Sequence, residues 1–270
     1  MKKYALINGK ILDGSENMTA RDAVVLVDDG KISDVLPKDA QIPNGYETID
    51  LGGKYLMPGL INMHVHLAGN GKPRKKQRDN AKLVKKIMST AVTRAIARKL
   101  VAKFAKLELL SGVTTIRTVG GLADFDTKLR DDIRNGKKVG PRILAANRGI
   151  SVPGGHMAGS VAIAADSTEE ALRILENNEA ENVDLIKLMI TGGVLDAKGV
   201  PGEVKMSADT VKAVCDEAKK KGYAVAAHVE SPEGVKIALE NGVNSIEHGA
   251  KPDDEIIRLF KETGAYLCAT

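Results

Sequence analysis

The order of apolar and polar positions changes character near residue 56. Before it, YALINGKILDG, AVVLVDDGKISDVLP and YETIDLGGKYL are short apolar runs joined by Gly, Asn and Asp. They predict a small antiparallel β unit without a helix over residues 1–56, with a hairpin turn at Asp28-Asp29-Gly30-Lys31. From residue 57 to 270 the texture becomes strand, helix, strand, helix, the signature of parallel βα units. MPGLINMHVHL (57–67) reads as a buried strand. Leu83, Val84, Ile87, Met88, Ala91, Ala95, Leu100 and Phe104 recur every three or four positions and predict one long helix over 81–110. Ser111-Gly112 ends it.

Further strands are read at 113–121, 141–151, 184–193, 223–231, 244–249 and 265–270, with helices between them. Ser167 with Glu170 forms a capping box, and Ser207 with Thr210 opens the next helix. Ser231-Pro232 and Pro252-Asp253-Asp254 open two more helices. Side chains of a strand alternate faces, so Leu185, Lys187, Met189 and Thr191 share one face, as do Ala224, Ala226 and His228.

Composition narrows the classes. Hydrophobic residues are 43% but aromatics only 3%, with no Trp. The core is therefore aliphatic, which suits a parallel sheet covered by helices. A net charge of +5 over 270 residues is mild and does not point to nucleic acid. Cys215 and Cys268 have no metal-type spacing and imply a reduced, cytoplasmic setting. No run is long enough to span a membrane.

The chemistry gathers at strand ends. His64 and His66 are one residue apart, share a face of the first strand, and can reach one metal ion. Lys187, His228 and His248 lie at the ends of three later strands, and in a barrel those ends converge on one mouth. Lys187, between Ile186 and Leu188, either snorkels to the rim or is a buried amine that loses its proton, adds carbon dioxide and bridges two divalent metals as a carbamate. Lys72 to Lys106 reads as a solvated helix face with a basic loop. As a lid, that loop would bring Arg74 or Lys75 to a substrate carboxylate. The VGG and TGG turns lack a phosphate-loop pattern.

PGL-x-x-x-H-x-H, GVTTIR, NRGI…GGH, IKLMITGG, AAH and SIEHG occur in the order found in the amidohydrolase superfamily. The sequence resembles those TIM-type (β/α)8-barrel metal hydrolases along nearly its whole length, and most resembles the imidazolonepropionase-like amidohydrolases and Xaa-Pro dipeptidases. The resemblance implies two divalent metal ions, of zinc type. His64 and His66 would hold the first, His228 and His248 the second, and a carbamate on Lys187 would bridge both. His156 is either a loop histidine or, by the resemblance, close to a substrate carbonyl or carboxylate. Residues 1–56 would be the first half of a side sandwich.

The implied activity is hydrolysis of an amide or peptide C–N bond through a metal-activated bridging hydroxide. A dipeptide or N-acyl amino acid is the implied substrate; a cyclic amide, as for an imidazolonepropionase, is an alternative. Asn62 and Thr118 stand where Asp is common, which alters hydrogen bonds behind the metals. The family's strand-eight Asp is absent, since the seventh strand ends at Thr270. Asp253 and Asp254 read as a helix cap instead. The expectation is an incomplete barrel of about seven strands, as a fragment or an inactive short form. Such a chain would be poorly soluble, self-associate as a homo-oligomer or be held by a partner that supplies the missing strands, and would leave Val24, Val25 and Val27 partly uncovered.

Overall fold

A computed structural model describes residues 2–71, 79–194 and 200–270. Arg74 and Lys75 lie outside the described residues. The chain divides into two compact units, Met1–Gly59 and Leu60–Thr270.

The first unit contains β1 (Lys3–Ile11), β2 (Arg21–Asp28), β3 (Lys31–Pro37), β4 (Tyr46–Asp50) and β5 (Tyr55–Leu56). β1, β2 and β3 form the expected antiparallel meander. Asp29 and Gly30 both take positive φ, as a two-residue hairpin of this hand requires. The rest corrects the antiparallel expectation. Residues 38–45 carry the chain across to the free edge of β1, where β4 and then β5 pair in parallel. The expectation for Val24 and Val25 is also corrected, because both are buried. Each face of the sheet closes its own cluster: Val24 lies with Ala5 and Leu26 under Leu36, Ile42 and Tyr46, and Val25 with Ile11 and Ala23.

The second unit begins with β6 (Leu60–Val65), α1 (Asn80–Met88), α2 (Ala91–Leu110), β7 (Val113–Thr118), α3 (Phe125–Arg134) and β8 (Arg142–Ala145). It continues with β9 (Gly149–Ser151), β10 (Ala162–Ala164), α4 (Thr168–Ala180), β11 (Leu185–Met189), α5 (Ala208–Lys220) and β12 (Ala224–Val229), then α6 (Pro232–Glu240), β13 (Ser245–His248), α7 (Asp254–Thr263) and β14 (Tyr266–Cys268). Two parallel sheets run in the orders β6-β7-β8 and β10-β9-β11-β12-β13-β14. Asp184 joins them: its N–H donates to the Ala145 carbonyl, while its carboxylate accepts from the Ala145 N–H and from Arg130. The result is a barrel wall in which β6 and β14 form an open seam among the described residues. Apolar Leu60, Ile61, Tyr266 and Leu267 are exposed on the two edge strands.

The two faces of the wall follow the period-two pattern. Ile186, Leu188, Ile190, Val225, Ala227, Val229 and Ile246 pack outward against α4 to α7. On the other face, Leu185 and Ala226 form a small cluster with Val119 and Ala146 inside the barrel. Ser167, Ser207, Ser231 and Asp253 cap their helices as expected.

Two expected elements are divided. The long helix breaks at Ser89-Thr90, where Thr90 turns extended and its hydroxyl accepts from the Thr93 N–H, starting a new helix. The third strand breaks at Asn147, which takes φ +51 and uses its side chain on Thr127 and Glu181. On α2 the basic residues Lys99, Lys103 and Lys106 face solvent, which is the solvated-face reading.

Asp126, in the first turn of α3, is buried, and neither carboxylate oxygen has a hydrogen-bond partner among the described residues. Burial raises its pKa to about 7, partly offset by the neighbouring Thr118 hydroxyl. Between about pH 4 and 7 the folded chain therefore holds a proton that the unfolded chain releases, so unfolding free energy falls as pH rises through that window. Asp126→Asn should flatten this slope and leave the variant more stable than wild type at pH 8, by up to about 4 kcal/mol at roughly 1.4 kcal/mol per pKa unit. Urea unfolding at pH 5, 6.5 and 8 measures it; parallel pH profiles for the two proteins would refute it.

Candidate active site

The five histidines of the chain all come to one place, at the carboxyl ends of the barrel strands. Their rings follow one another in a continuous series. His66 and His64 are 5.1 Å apart between centroids, His64 and His248 4.8 Å, His248 and His228 4.7 Å, and His228 and His156 4.0 Å and stacked. His64 and His228 point inward because of strand alternation. His248 follows the inward-facing Glu247 and would face outward in a regular strand. It takes φ +68 instead, and Gly249 follows at φ +79, so the backbone turns the imidazole back toward the site. His156 arrives on the loop after β9. Gly193 makes room for the stacked pair, since a Cβ there would collide with both the His156 and His228 rings.

Beneath the rings lies a buried ionic cluster. Arg117, on β7, donates from Nε to the Met63 carbonyl at 2.7 Å and from Nη2 to Glu247 Oε1 at 2.6 Å. Ser245 Oγ donates to the same oxygen at 2.6 Å. The second oxygen, Glu247 Oε2, accepts from His64 Nδ1 at 2.8 Å. Glu247 is 0% exposed. Burial alone would raise its pKa, but His64, Lys187, Ser245 and Arg117 together hold it down at about 2. It is therefore an anion that fixes the His64 tautomer with the proton on Nδ1.

His66 Nδ1 likewise donates, to the Gly120 carbonyl at 2.9 Å. Burial depresses His66 to about 3, His248 to about 4 and His228 to about 2, and it lowers His64 too. These four rings are neutral at pH 7. With both Nδ1 atoms protonated, the two Nε2 atoms carry lone pairs, and these stand 3.3 Å apart. Two lone pairs facing each other repel and form no hydrogen bond. That spacing is, however, about what two nitrogens bound at 2.0–2.1 Å to one tetrahedral ion would have. The pair fits a divalent metal.

Lys187 stands below the rings on β11, 1% exposed, and its Nζ has no hydrogen-bond partner among the described residues. The snorkelling alternative is therefore corrected: the stem is in the barrel wall, and the amine stays in the interior with it. Burial lowers its pKa to about 7, partly offset by Glu247. A large fraction is thus neutral amine at neutral pH, which suits addition to carbon dioxide.

Asn62 and Thr118 have different roles. The Asn62 side chain accepts from the His64 backbone N–H at 3.2 Å, whereas the Thr118 hydroxyl lies beside Asp126. Three residues escape a reading by motif. Arg117 and Glu247 sit inside quoted motifs, and their signal is a cation and an anion in two apolar strands, each needing a partner. Glu230 lies two positions after His228, just past the end of β12, and forms a group with His228 and His248 whose ligand atoms are all within 4.8 Å of one another. Next to His64 and His66 opens a cavity of about 550 Å³, walled by Leu83, Val84, Ile87, Phe104, Leu107 and Met157.

Residues 55–270 match the amidohydrolase family and residues 3–56 the NagA composite domain. The chain belongs to the amidohydrolase family. Similar solved structures within this range of folds include a provisionally named prolidase from Bifidobacterium longum, at 36% identity and a TM-score of 0.77 over 96% of this chain and 57% of that one. Another is a Xaa-Pro dipeptidase with methionine bound in its active site, at 29% identity and 0.81 over 98% and 66%. The ochratoxinase of Aspergillus niger is 25% identical over 99% of this chain and 59% of its own length. The chain thus spans about three fifths of these relatives. Among the described residues of this amidohydrolase, no helix is long and apolar enough to cross a membrane.

The ionic cluster makes a direct prediction. Glu247→Ala would leave Arg117 buried without its anion and His64 without its tautomer lock. It should cost about 3–5 kcal/mol of stability, as breaking a buried pair does, whereas Arg117→Met with Glu247→Leu together should cost clearly less than the sum of the two changes made singly. Chemical denaturation of Glu247→Ala measures its cost, and that of wild type, Arg117→Met, Glu247→Leu and the double variant measures the coupling; strict additivity would mean that the two side chains act independently.

Proposed function

We propose that this protein is a metal-dependent hydrolase of amide or peptide C–N bonds, acting on a dipeptide or N-acyl amino acid. The observation that carries the reading is the pair of Nε2 lone pairs of His64 and His66, fixed 3.3 Å apart by partners on their far nitrogens. Those two rings would hold one divalent ion, and His228 and His248 a second. Imidazole nitrogens suit zinc. Bound ions would supply Lewis acidity, polarising the scissile carbonyl and lowering the pKa of a water.

The chain's own residues do the rest. The Lys187 amine adds to carbon dioxide through a new N–C bond and releases one proton to solvent, leaving an anionic carbamate. This relieves an otherwise unpartnered buried nitrogen. Glu247 and the Gly120 carbonyl hold His64 and His66 in the ligating tautomer without needing to move. The apolar wall of α1 and α2 accepts a substrate side chain and excludes water around it. His156, stacked on His228, meets the substrate carbonyl or carboxylate. The prolidase and Xaa-Pro dipeptidase neighbours support a dipeptide with proline at its carboxyl side as the first substrate to assay.

Lys187→Ala should fold normally, fall from two zinc equivalents to one, and lose about 10³-fold or more in dipeptide hydrolysis, the several kcal/mol that metal-assisted polarisation contributes. Short carboxylic acids should restore part of the activity. Elemental analysis and a dipeptidase assay decide it; a fully active variant with two zinc ions would sink the carbamate assignment.

A further inference from the structure

The two halves of the histidine series are not equivalent. His64 and His66 offer two nitrogens, and the carboxylate behind them, Glu247, is occupied by Arg117, Ser245 and His64 Nδ1. The other half has a carboxylate of its own. Glu230 stands two residues beyond His228, immediately after the end of β12. Its backbone is held there, the Glu230 N–H donating to Thr191 Oγ1 at 3.0 Å. One of its carboxylate oxygens is shielded from solvent, so the side chain is not a solvated rim acid. The ligating atoms of His228, Glu230 and His248 all lie within 4.8 Å of one another. Donors on one tetrahedral ion would stand about 3.4 Å apart at bond lengths near 2.1 Å. Glu230 and His248 are only partly buried, and an ion on these donors would draw their side chains inward by about an ångström; His248 Nδ1 meets the Thr270 hydroxyl at 2.5 Å, which leaves its Nε2 as the ligating atom.

We infer that Glu230 is a protein ligand, and that His228, Glu230 and His248 form a metal site able to hold a divalent ion without the Lys187 carbamate. The inference rests on the metal-centre reading given above. Two imidazoles and one carboxylate are a donor set that binds zinc with a fourth position open. The carboxylate also brings a negative charge that neutral imidazoles do not, and it offsets part of the ion's charge in a site where burial penalises cations. The carbamate would then tie the other ion to a site already loaded, so the two ions would bind in order and with different affinities.

Zinc titration against a chromophoric chelator, with elemental analysis, tests this in the full chain as wild type, Lys187→Ala, Glu230→Gln, Glu230→Asp and the Lys187→Ala/Glu230→Gln double variant. Lys187→Ala should keep one tight zinc. Adding Glu230→Gln should weaken that zinc by more than the about 10–100-fold that losing even an outer hydrogen-bonding partner causes. Glu230→Asp, which keeps the carboxylate, should retain it, and thermal unfolding followed by circular dichroism verifies that each variant is folded. Equal zinc affinity in Lys187→Ala with and without Glu230→Gln would overturn the inference while leaving the binuclear reading intact. Absence of zinc from the wild type would instead bring down the metal-centre reading itself, and this inference with it.

Discussion

The arrangement of this protein depends on one buried charge pair. Arg117 and Glu247 come from strands 130 residues apart in sequence and meet inside the barrel. Each would be costly alone, because an unpaired ion removed from water loses several kcal/mol of hydration. Together with Ser245 and the Met63 carbonyl they satisfy one another, and the remaining Glu247 oxygen is left to orient His64. The same contact therefore ties β6, β7 and β13 together across the barrel interior and sets which nitrogen of His64 carries a proton. Structure and chemistry are coupled at a single carboxylate.

Around that pair the barrel divides labour between its faces. The outward face is aliphatic and buries against helices, which supplies cohesion without geometric demand. The inward face becomes progressively more polar toward the carboxyl ends: Leu185 and Ala226 first, then Lys187 and Glu247, then the ring series. Desolvation increases the basicity cost of every cation placed there. It keeps His64, His66, His228 and His248 neutral and brings Lys187 to a pKa of about 7, so that nitrogen lone pairs are available.

Much of this was legible in the sequence, because it rests on short-range rules. Strand alternation predicted that His64 and His66 share a face, that Lys187 lies on one face with Leu185 and Met189, and that His228 lies on one face with Ala224 and Ala226. Helix caps at Ser167, Ser207, Ser231 and Asp253 were readable because a cap is a local hydrogen bond. What escaped is what depends on partners distant in sequence. Glu247 looks like a motif residue until Arg117 is beside it. The parallel return of β4 and β5, and the closure over Val24 and Val25, are set by a crossing that local patterns do not encode. The breaks at Thr90 and Asn147 are intermediate: the residue types were suggestive, but the competing helix or strand pattern continued through them. Glu230 was accessible to the same two-residue spacing that linked His64 with His66, counted from His228 onward.

His248 carries a different consequence. A non-glycine side chain in the left-handed region costs roughly 1–2 kcal/mol, and His248 bears it at φ +68 in order to face the other rings. Asparagine or glycine would sit more comfortably on that backbone. Position 248 is thus a point where selection for robustness and selection for chemistry oppose each other. A library screened only for heat resistance would drift away from histidine there, and the enrichment of the easier residues would read out how much conformational strain the native molecule retains to keep the third ring of its series in place.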